Sequence, residues 1–315
     1  MAASLRAPLK AQPWWQASTS ASRSVSRRWA STACGSASKR PDPSSLPPIH
    51  YSLIPHHVPY ALGLALQERL YSLRGQPEVL LLLEHKPVYT EGRRGHRSEN
   101  DADAPPTVGG GELSEEQVRE RFASIGADYH LTQRGGLITY HGPGQLIGYP
   151  IVNLGSMGLS SRCYIEALQT AIRSILTSHY QLPLVEPPEN NTGVWSTPYL
   201  KICSIGVQVR HRITTHGFGL NVTREVAPWF RRIVACGIKG RGMTSIEEQL
   251  EDEGKDAREV SVKEVMPKAV QALGQALGRE MVEAGEELLR YEGDERGVLS
   301  RVWVKGEEVT VPTEP

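Results

Sequence analysis

Between residues 60 and 73 the apolar side chains Leu62, Ala65, Leu66, Leu70 and Leu73, with the stem of Arg69, recur every three or four positions, which predicts an amphipathic helix. Residues 79–83 are instead a continuous apolar run between Pro77 and Pro87, the pattern of a strand buried on both faces. A second helix is predicted over 161–180, with Tyr164, Leu168, Ala171, Ile172, Ile175 and Leu176 inward. Cys163, beside that stripe, reads as a small core residue. A third helix over 261–281 opens with the capping box Ser261-x-x-Glu264 and turns Val265, Val270, Leu273 and Leu277 inward. Strand-like segments fall at 136–140, 146–154, 194–195, 201–210 and 216–222, with a short apolar run at 233–235. The turn His141-Gly142-Pro143-Gly144 makes 136–154 a hairpin, and Pro followed by Gly suits a type II turn. Residues 302–311 form a closing hairpin that turns at Lys305-Gly306.

Helices separated by groups of strands, without strict strand-helix alternation, predict an α+β or mixed α/β domain. The Pro-rich residues 41–50 read as a linker, so the domain starts near Tyr51. Residues 99–124 break the pattern with Pro105-Pro106, Gly109-Gly110-Gly111 and many charges; they read as a mobile surface insertion whose part 114–122 is helical. The acidic stretch 247–253 reads as a solvated linker, and 251–315 as a helical and hairpin extension. No apolar run reaches the 18 residues of a membrane-spanning helix.

Charge is unevenly distributed, most sharply at the N-terminus. Residues 1–41 hold seven basic side chains and no acidic one, amid Ser and Ala, the composition of a mitochondrial transit peptide. A basic arm for nucleic acid or membrane is the alternative. Without that segment 28 basic residues face 35 acidic ones, a net charge of about −7, which argues against a general nucleic-acid binder. Four cysteines without paired spacing indicate neither a disulfide framework nor a zinc knuckle.

Three segments could carry chemistry. In 201–209, positions 203, 205, 207 and 209 are apolar, and Lys201 shares their parity. A lysine there either snorkels to water or sits partly desolvated and exchanges protons near neutral pH. Cys203 on the same stripe reads as packing. Cys236 follows Ile-Val-Ala, precedes Gly237 and has Arg231, Arg232, Lys239 and Arg241 close by in sequence. Positive charge around a glycine-flanked thiol raises its thiolate fraction, although a structural cysteine at a strand end has the same local sequence. The glycine-rich stretch 134–145 lets a ligand lie against backbone, with Arg134 and His141 as hydrogen-bond donors. It has neither a phosphate-loop pattern nor a dinucleotide fingerprint. His141 and His216 have no second metal ligand at helical or turn spacing.

Taken in order, Leu83-Glu-His-Lys-Pro-Val-Tyr-Thr-Glu-Gly-Arg93, Arg134-Gly-Gly through His141-Gly-Pro-Gly-Gln145, Lys201-Ile-Cys-Ser-Ile-Gly-Val207 with His216-Gly-Phe-Gly-Leu-Asn221, and Ala235-Cys-Gly-Ile through Gly242-Met-Thr-Ser245 closely resemble the lipoyl(octanoyl) transferases. The resemblance covers roughly residues 51–250. It implies a mixed α/β sandwich around a substrate tunnel, similar to the catalytic domain of biotin and lipoate protein ligases. It makes Cys236 the acyl-thioester nucleophile and Lys201 its proton-exchange partner. Substrate is expected against Arg134, Gly135, Gly136, Leu137, Ile138, Thr139, Tyr140 and His141, against Ser204, Ile205 and Gly206, and against Gly217, Phe218 and Gly219, the last standing where the family commonly has Ala. The implied donor is octanoyl-acyl carrier protein, which brings its own phosphopantetheine, so no cofactor or metal is expected. Lipoyl domains are the implied acceptors, the glycine-cleavage carrier protein and 2-oxoacid dehydrogenase subunits among them, and the mitochondrial matrix is the implied compartment. An ATP-dependent lipoate or biotin ligase, or a non-catalytic binding module on the same fold, are the competing readings.

Overall fold

The computed structural model describes residues 41–42, 45–95, 114–189, 191–233 and 240–312. In chain order the elements are β1 (Ile49–Val58), α1 (Tyr60–Ser72), β2 (Val79–His85), β3 (Val88–Glu91), α2 (Glu115–Ala123), β4 (Asp128–Leu131), β5 (Thr139–His141) and β6 (Gln145–Ile151). They continue with α3 (Ser161–His179), β7 (Val194–Thr197), β8 (Leu200–Arg210), β9 (Ile213–Asn221), α4 (Ala227–Phe230), β10 (Gly242–Met243) and α5 (Ile246–Asp252). The last are α6 (Val262–Leu277), β11 (Met281–Glu283), β12 (Leu289–Gly293), β13 (Leu299–Val304) and β14 (Glu307–Glu308).

The predicted mixed α/β class holds. One large sheet runs β10-β8-β9-β6-β2-β1-β11, with β7 added on β8. The apolar run of β2 is buried on both faces, as its sequence requires. Leu80 and Leu82 pack under α3 and α6, while Val79, Leu81 and Leu83 pack under α1 and the small sheet β12-β13-β14. A third cluster gathers β3, β4 and β5 with α2 and α4, where Tyr89 stacks on Phe122 and Tyr140 on Trp229.

Several expectations need correction. The segments around Gly142-Pro143-Gly144 are not a hairpin: β5 pairs with β3 in the β4-β3-β5 sheet, whereas β6 pairs with β2 and β9 in the large one. The turn itself is as predicted, with Gly144 at φ +82° and Gln145 N–H bonded to the Gly142 carbonyl. Local turn chemistry fixes where the chain bends, but not which sheet each arm joins.

The stretch 247–253 is mostly α5 rather than linker, because Ser245 accepts from the Glu248 N–H as a cap and Ile246 and Leu250 are buried. Residues 251–315 are no appendage either: α6 shares a core with α3, and β11 pairs with β1 at the edge of the large sheet. The predicted third helix stops at Leu277, so Met281 belongs to that strand. Within the expected insertion, α2 forms and is anchored through Val118 and Phe122, while residues 99–113 lie outside the described set. β1, read as linker and domain start, is a ten-residue strand flanked by β2 and β11.

Candidate active site

Three of the sequence segments singled out above meet in one cavity of about 380 Å³. Its wall is the loop Arg134, Gly135, Gly136 and Leu137, continued by Thr139 and His141 of β5; its floor is β8 and β9, with Ser204, Ile205, Gly206, Gly217, Phe218, Gly219 and Lys201. Ile138 and Tyr140, also expected against substrate, are not part of it. Alternation along the strand turns both into the tyrosine-rich third cluster.

β8 and β9 form a hairpin whose register sets Gly206 opposite Gly217 and Ser204 opposite Gly219. The glycines serve backbone packing more than ligand space. A Cβ at Gly206 would stand 2.9 Å from the Gly135 carbonyl oxygen, and one at Gly217 would collide with that of Gly148. The loop 134–136 can therefore lie directly on the hairpin, where Gly135 N–H bonds to the Val207 carbonyl.

Arg134 holds this loop rather than waiting as a free donor. Its Nη1 donates to the Gly135 carbonyl, and its Nη2 donates to the Thr90 carbonyl and hydroxyl and to the Leu137 carbonyl. The guanidinium also adds to the burial that holds His141 well below the ordinary imidazole range.

Lys201 is 3% exposed, so it does not snorkel; its Nζ lies 4.9 Å from the centroid of the Trp195 ring. β10 fixes the strand it sits on by pairing Met243 with Lys201, and Thr244 N–H donates to the Lys201 carbonyl. Cys203 is fully buried, and burial pushes its thiol far above the ordinary range, which leaves it a packing residue. Cys163 is buried on α3 but departs from the expectation of an unbridged core residue, because it is disulfide-bonded. Cys236 lies outside the described residues, as do Val234, Ala235 and Gly237 of the predicted apolar run and turn.

Behind Tyr149 and His216 of the cavity lining lie further buried polar residues, partnered across long stretches of sequence. His85 Nδ1–H donates to the Val58 carbonyl at 2.8 Å, so its Nε2 accepts from the Tyr149 hydroxyl at 2.7 Å. His216 occupies a left-handed conformation at φ +60°, held by its N–H donating to Gln67 Oε1 at 2.7 Å, and its Nε2 meets the Tyr60 hydroxyl. Burial keeps both rings neutral, lowering His85 to about 4 and His216 to about 3. Gln67 had a legible signal, being a polar residue inside the buried stripe of α1, next to Leu66. From His141 a chain of buried amides leads away, through Gln145 and Asn221 to the Thr244 carbonyl.

The helix-backed mixed sheet is a fold shared with solved lipoate protein ligases. Fold comparison bears this out: a putative lipoate protein ligase from Thermoplasma acidophilum superposes with a TM-score of 0.53 at 12% identity, covering 75% of this chain and 88% of the other. A lipoate-protein ligase A bound with ATP gives 0.52 at 14% identity, covering 75% and 87%. Residues 59–274 match the lipoyl protein ligase A/B catalytic domain family, and the chain belongs to it. Within that family it stands among the octanoyltransferases, which are acyltransferases. It is 40% identical over 207 residues to the mitochondrial octanoyl-[acyl-carrier-protein]:protein N-octanoyltransferase of Danio rerio, spanning 66% of this chain and 80% of that one. The corresponding human protein is 39% identical, spanning 67% and 85%, and an octanoyltransferase of Caldicellulosiruptor saccharolyticus is 35% identical, spanning 70% and 86%.

Proposed function

We propose that this protein takes an octanoyl group from octanoyl-acyl carrier protein, holds it as a thioester on Cys236, and passes it to a lysine of a lipoyl domain during lipoate biosynthesis. The observation that carries this reading is the convergence of residues 134–137, Thr139, His141, 204–206 and 217–219 with a buried Lys201 on one cavity. That volume lies within the range of about 300–1,000 Å³ typical of small-molecule sites. Burying an eight-carbon chain stabilises binding by roughly 5 kcal/mol at about 0.8 kcal/mol per methylene. One carbon more or less then shifts binding by under ~1 kcal/mol, so chain length is set by where the cavity ends.

Exchange of the acyl group from the carrier's thiol to Cys236 replaces one thioester by another, so loading needs no ATP. Lys201 takes the Cys236 proton and hands it to the leaving carrier thiol. Backbone N–H groups beside Gly237 or in 204–206 are candidates to stabilise the tetrahedral oxyanion. The eukaryotic relatives are named mitochondrial, and the acid-free segment 1–41 supports import of this chain to the matrix. The glycine-cleavage carrier protein and the lipoyl domains of 2-oxoacid dehydrogenases are the proposed acceptors.

Reconstitution tests the reading. Purified protein under reducing conditions, given octanoyl-acyl carrier protein and a lipoyl domain without ATP, should acylate the domain on its lysine. A requirement for ATP and free octanoate would instead assign a ligase reaction, and folded protein that transfers nothing under either condition would assign a binding module.

A further inference from the structure

The buried amide chain beyond His141 leaves no freedom in how its protons are arranged. Its far end is a backbone carbonyl, that of Thr244, which only accepts; the Asn221 atom 2.8 Å from it is therefore the Nδ2 amide donor. Asn221 Oδ1 then faces Gln145 and must receive a proton, so Gln145 presents Nε2 to it at 2.8 Å and turns Oε1 toward His141. An amide oxygen accepts only, and His141 Nδ1 at 2.7 Å must carry the hydrogen. Asn221, Gln145 and Thr244 are buried at 0%, 1% and 4% exposure, so water does not compete for these bonds.

In neutral His141 the second nitrogen is then a bare lone pair. The ring lines the cavity, and Nε2 has no hydrogen-bond partner among the described residues. The sequence alone casts His141 as a donor to substrate; the network reverses that polarity.

We propose that His141 is a second catalytic base, whose Nε2 accepts the proton of the acceptor lysine's nitrogen as that nitrogen attacks the acyl-enzyme. Gln145 and Asn221 are its positioning residues. The inference rests on the acyl-transfer reading above. The neutral amine's lone pair forms a C–N bond to the thioester carbonyl carbon, and the carbonyl π pair moves onto oxygen. The nitrogen's extra proton passes to His141 Nε2. The oxygen pair then re-forms the carbonyl as the C–S bond breaks, its electrons leaving with the Cys236 sulfur, and the imidazolium releases its proton to water. No oxidant or further reactant enters.

Burial and the Arg134 charge hold the ring neutral throughout the physiological range, so the lone pair is never blocked by a prior proton. The same chain reaches the other side of the cavity, because Thr244 N–H donates to the Lys201 carbonyl at 3.0 Å. One set of hydrogen bonds thus fixes both the lysine that serves the thiol and the imidazole that serves the amine.

Two measurements on the full-length protein test this. Long-range proton–nitrogen correlation spectra of ¹⁵N-histidine-labelled protein at pH 7.5, with His141 assigned by its loss in His141→Asn, should show it neutral with the hydrogen on Nδ1. A hydrogen on Nε2, or an imidazolium, overturns the proposal whatever the enzyme's activity. In single-turnover kinetics His141→Asn should slow transfer from octanoyl-enzyme to a lipoyl domain by about 100-fold or more. The same change should slow loading from the carrier at least about 30-fold less, with transfer partly restored by added imidazole. Equal loss in both steps without rescue would reduce His141 to a structural residue. Gln145→Leu should scramble the His141 tautomer and lower transfer less than His141→Asn does; an unchanged tautomer would remove the positioning role. If His141→Asn fails to fold, His141→Gln takes its place, and the wild-type spectrum still decides the proton's location. A wild-type protein that never loads would sink the parent reading while leaving the tautomer result to stand or fall separately.

Discussion

The large sheet buries residues in its two halves by opposite means. In the half formed by β1 and β2, residues such as Leu80, Leu81, Leu82 and Leu83 fill both faces with hydrocarbon, and their exposure is 0–1%. In the half formed by β8 and β9, equally buried positions are Lys201, His216, Thr214 and Asn221, with glycines between them. Hydrocarbon packs against any hydrocarbon, whereas each buried polar group needs one partner in one place. The cavity lies on that side of the sheet, among those partnered polar groups and glycines.

Mutations in the two halves should have opposite consequences for activity and stability. Lys201→Met should lower acyl transfer by about 1,000-fold while urea unfolding changes little, because a methionine fills the stem's space beside Trp195. A loss of stability that accounts for the lost rate would show Lys201 to be packing. Leu81→Ala should do the reverse, lowering unfolding free energy by about 3–4 kcal/mol while transfer per folded molecule stays within about twofold.

Acidity should act on the polar half. His85 and His216 have folded values of about 4 and 3, below the 6.5 of an unfolded histidine, so the unfolded chain takes up protons first as pH falls. Stability is therefore fully present above pH 6.5 and declines from there toward pH 4, by roughly 3 kcal/mol from His85 alone. His85→Gln should flatten that slope in urea titrations at pH 7.5 and 4.5; an unaltered slope would place its origin elsewhere. The smallest effect expected is from Gln67→Leu, which strands the N–H of the left-handed His216 at a cost of about 1–2 kcal/mol. Thermal unfolding reads that loss, and an unchanged midpoint would mean that His216 does not need this support.

The same contrast explains what was legible in the sequence. The run of β2 and the stripe of α3 are written in side-chain type and spacing, and every inward residue expected of α3 is buried. The lining at 134–137, 204–206 and 217–219 was reached through motif resemblance, since no periodicity marks a cavity. Partnerships such as Gln67 with His216, 149 residues apart, or Tyr60 with His216, 156 apart, depend on sheet order. Sheet order is the point where local reading failed, for it joined β5 and β6 into one hairpin although they serve different sheets. β1 was missed because its polar His50, Ser52, His56 and His57 interrupt the alternation that marks a strand.

In the proposed reaction one thiol, that of Cys236, carries the acyl group and Lys201 exchanges its proton. Incubating reduced protein with octanoyl-acyl carrier protein, then mapping the adduct by intact mass and peptide mass spectrometry, examines it directly. One hydroxylamine-labile octanoyl group on Cys236, formed in the wild type and strongly slowed in Lys201→Met, is the predicted result. Octanoylation at another residue, or full transfer to a lipoyl domain by Cys236→Ser, would contradict it.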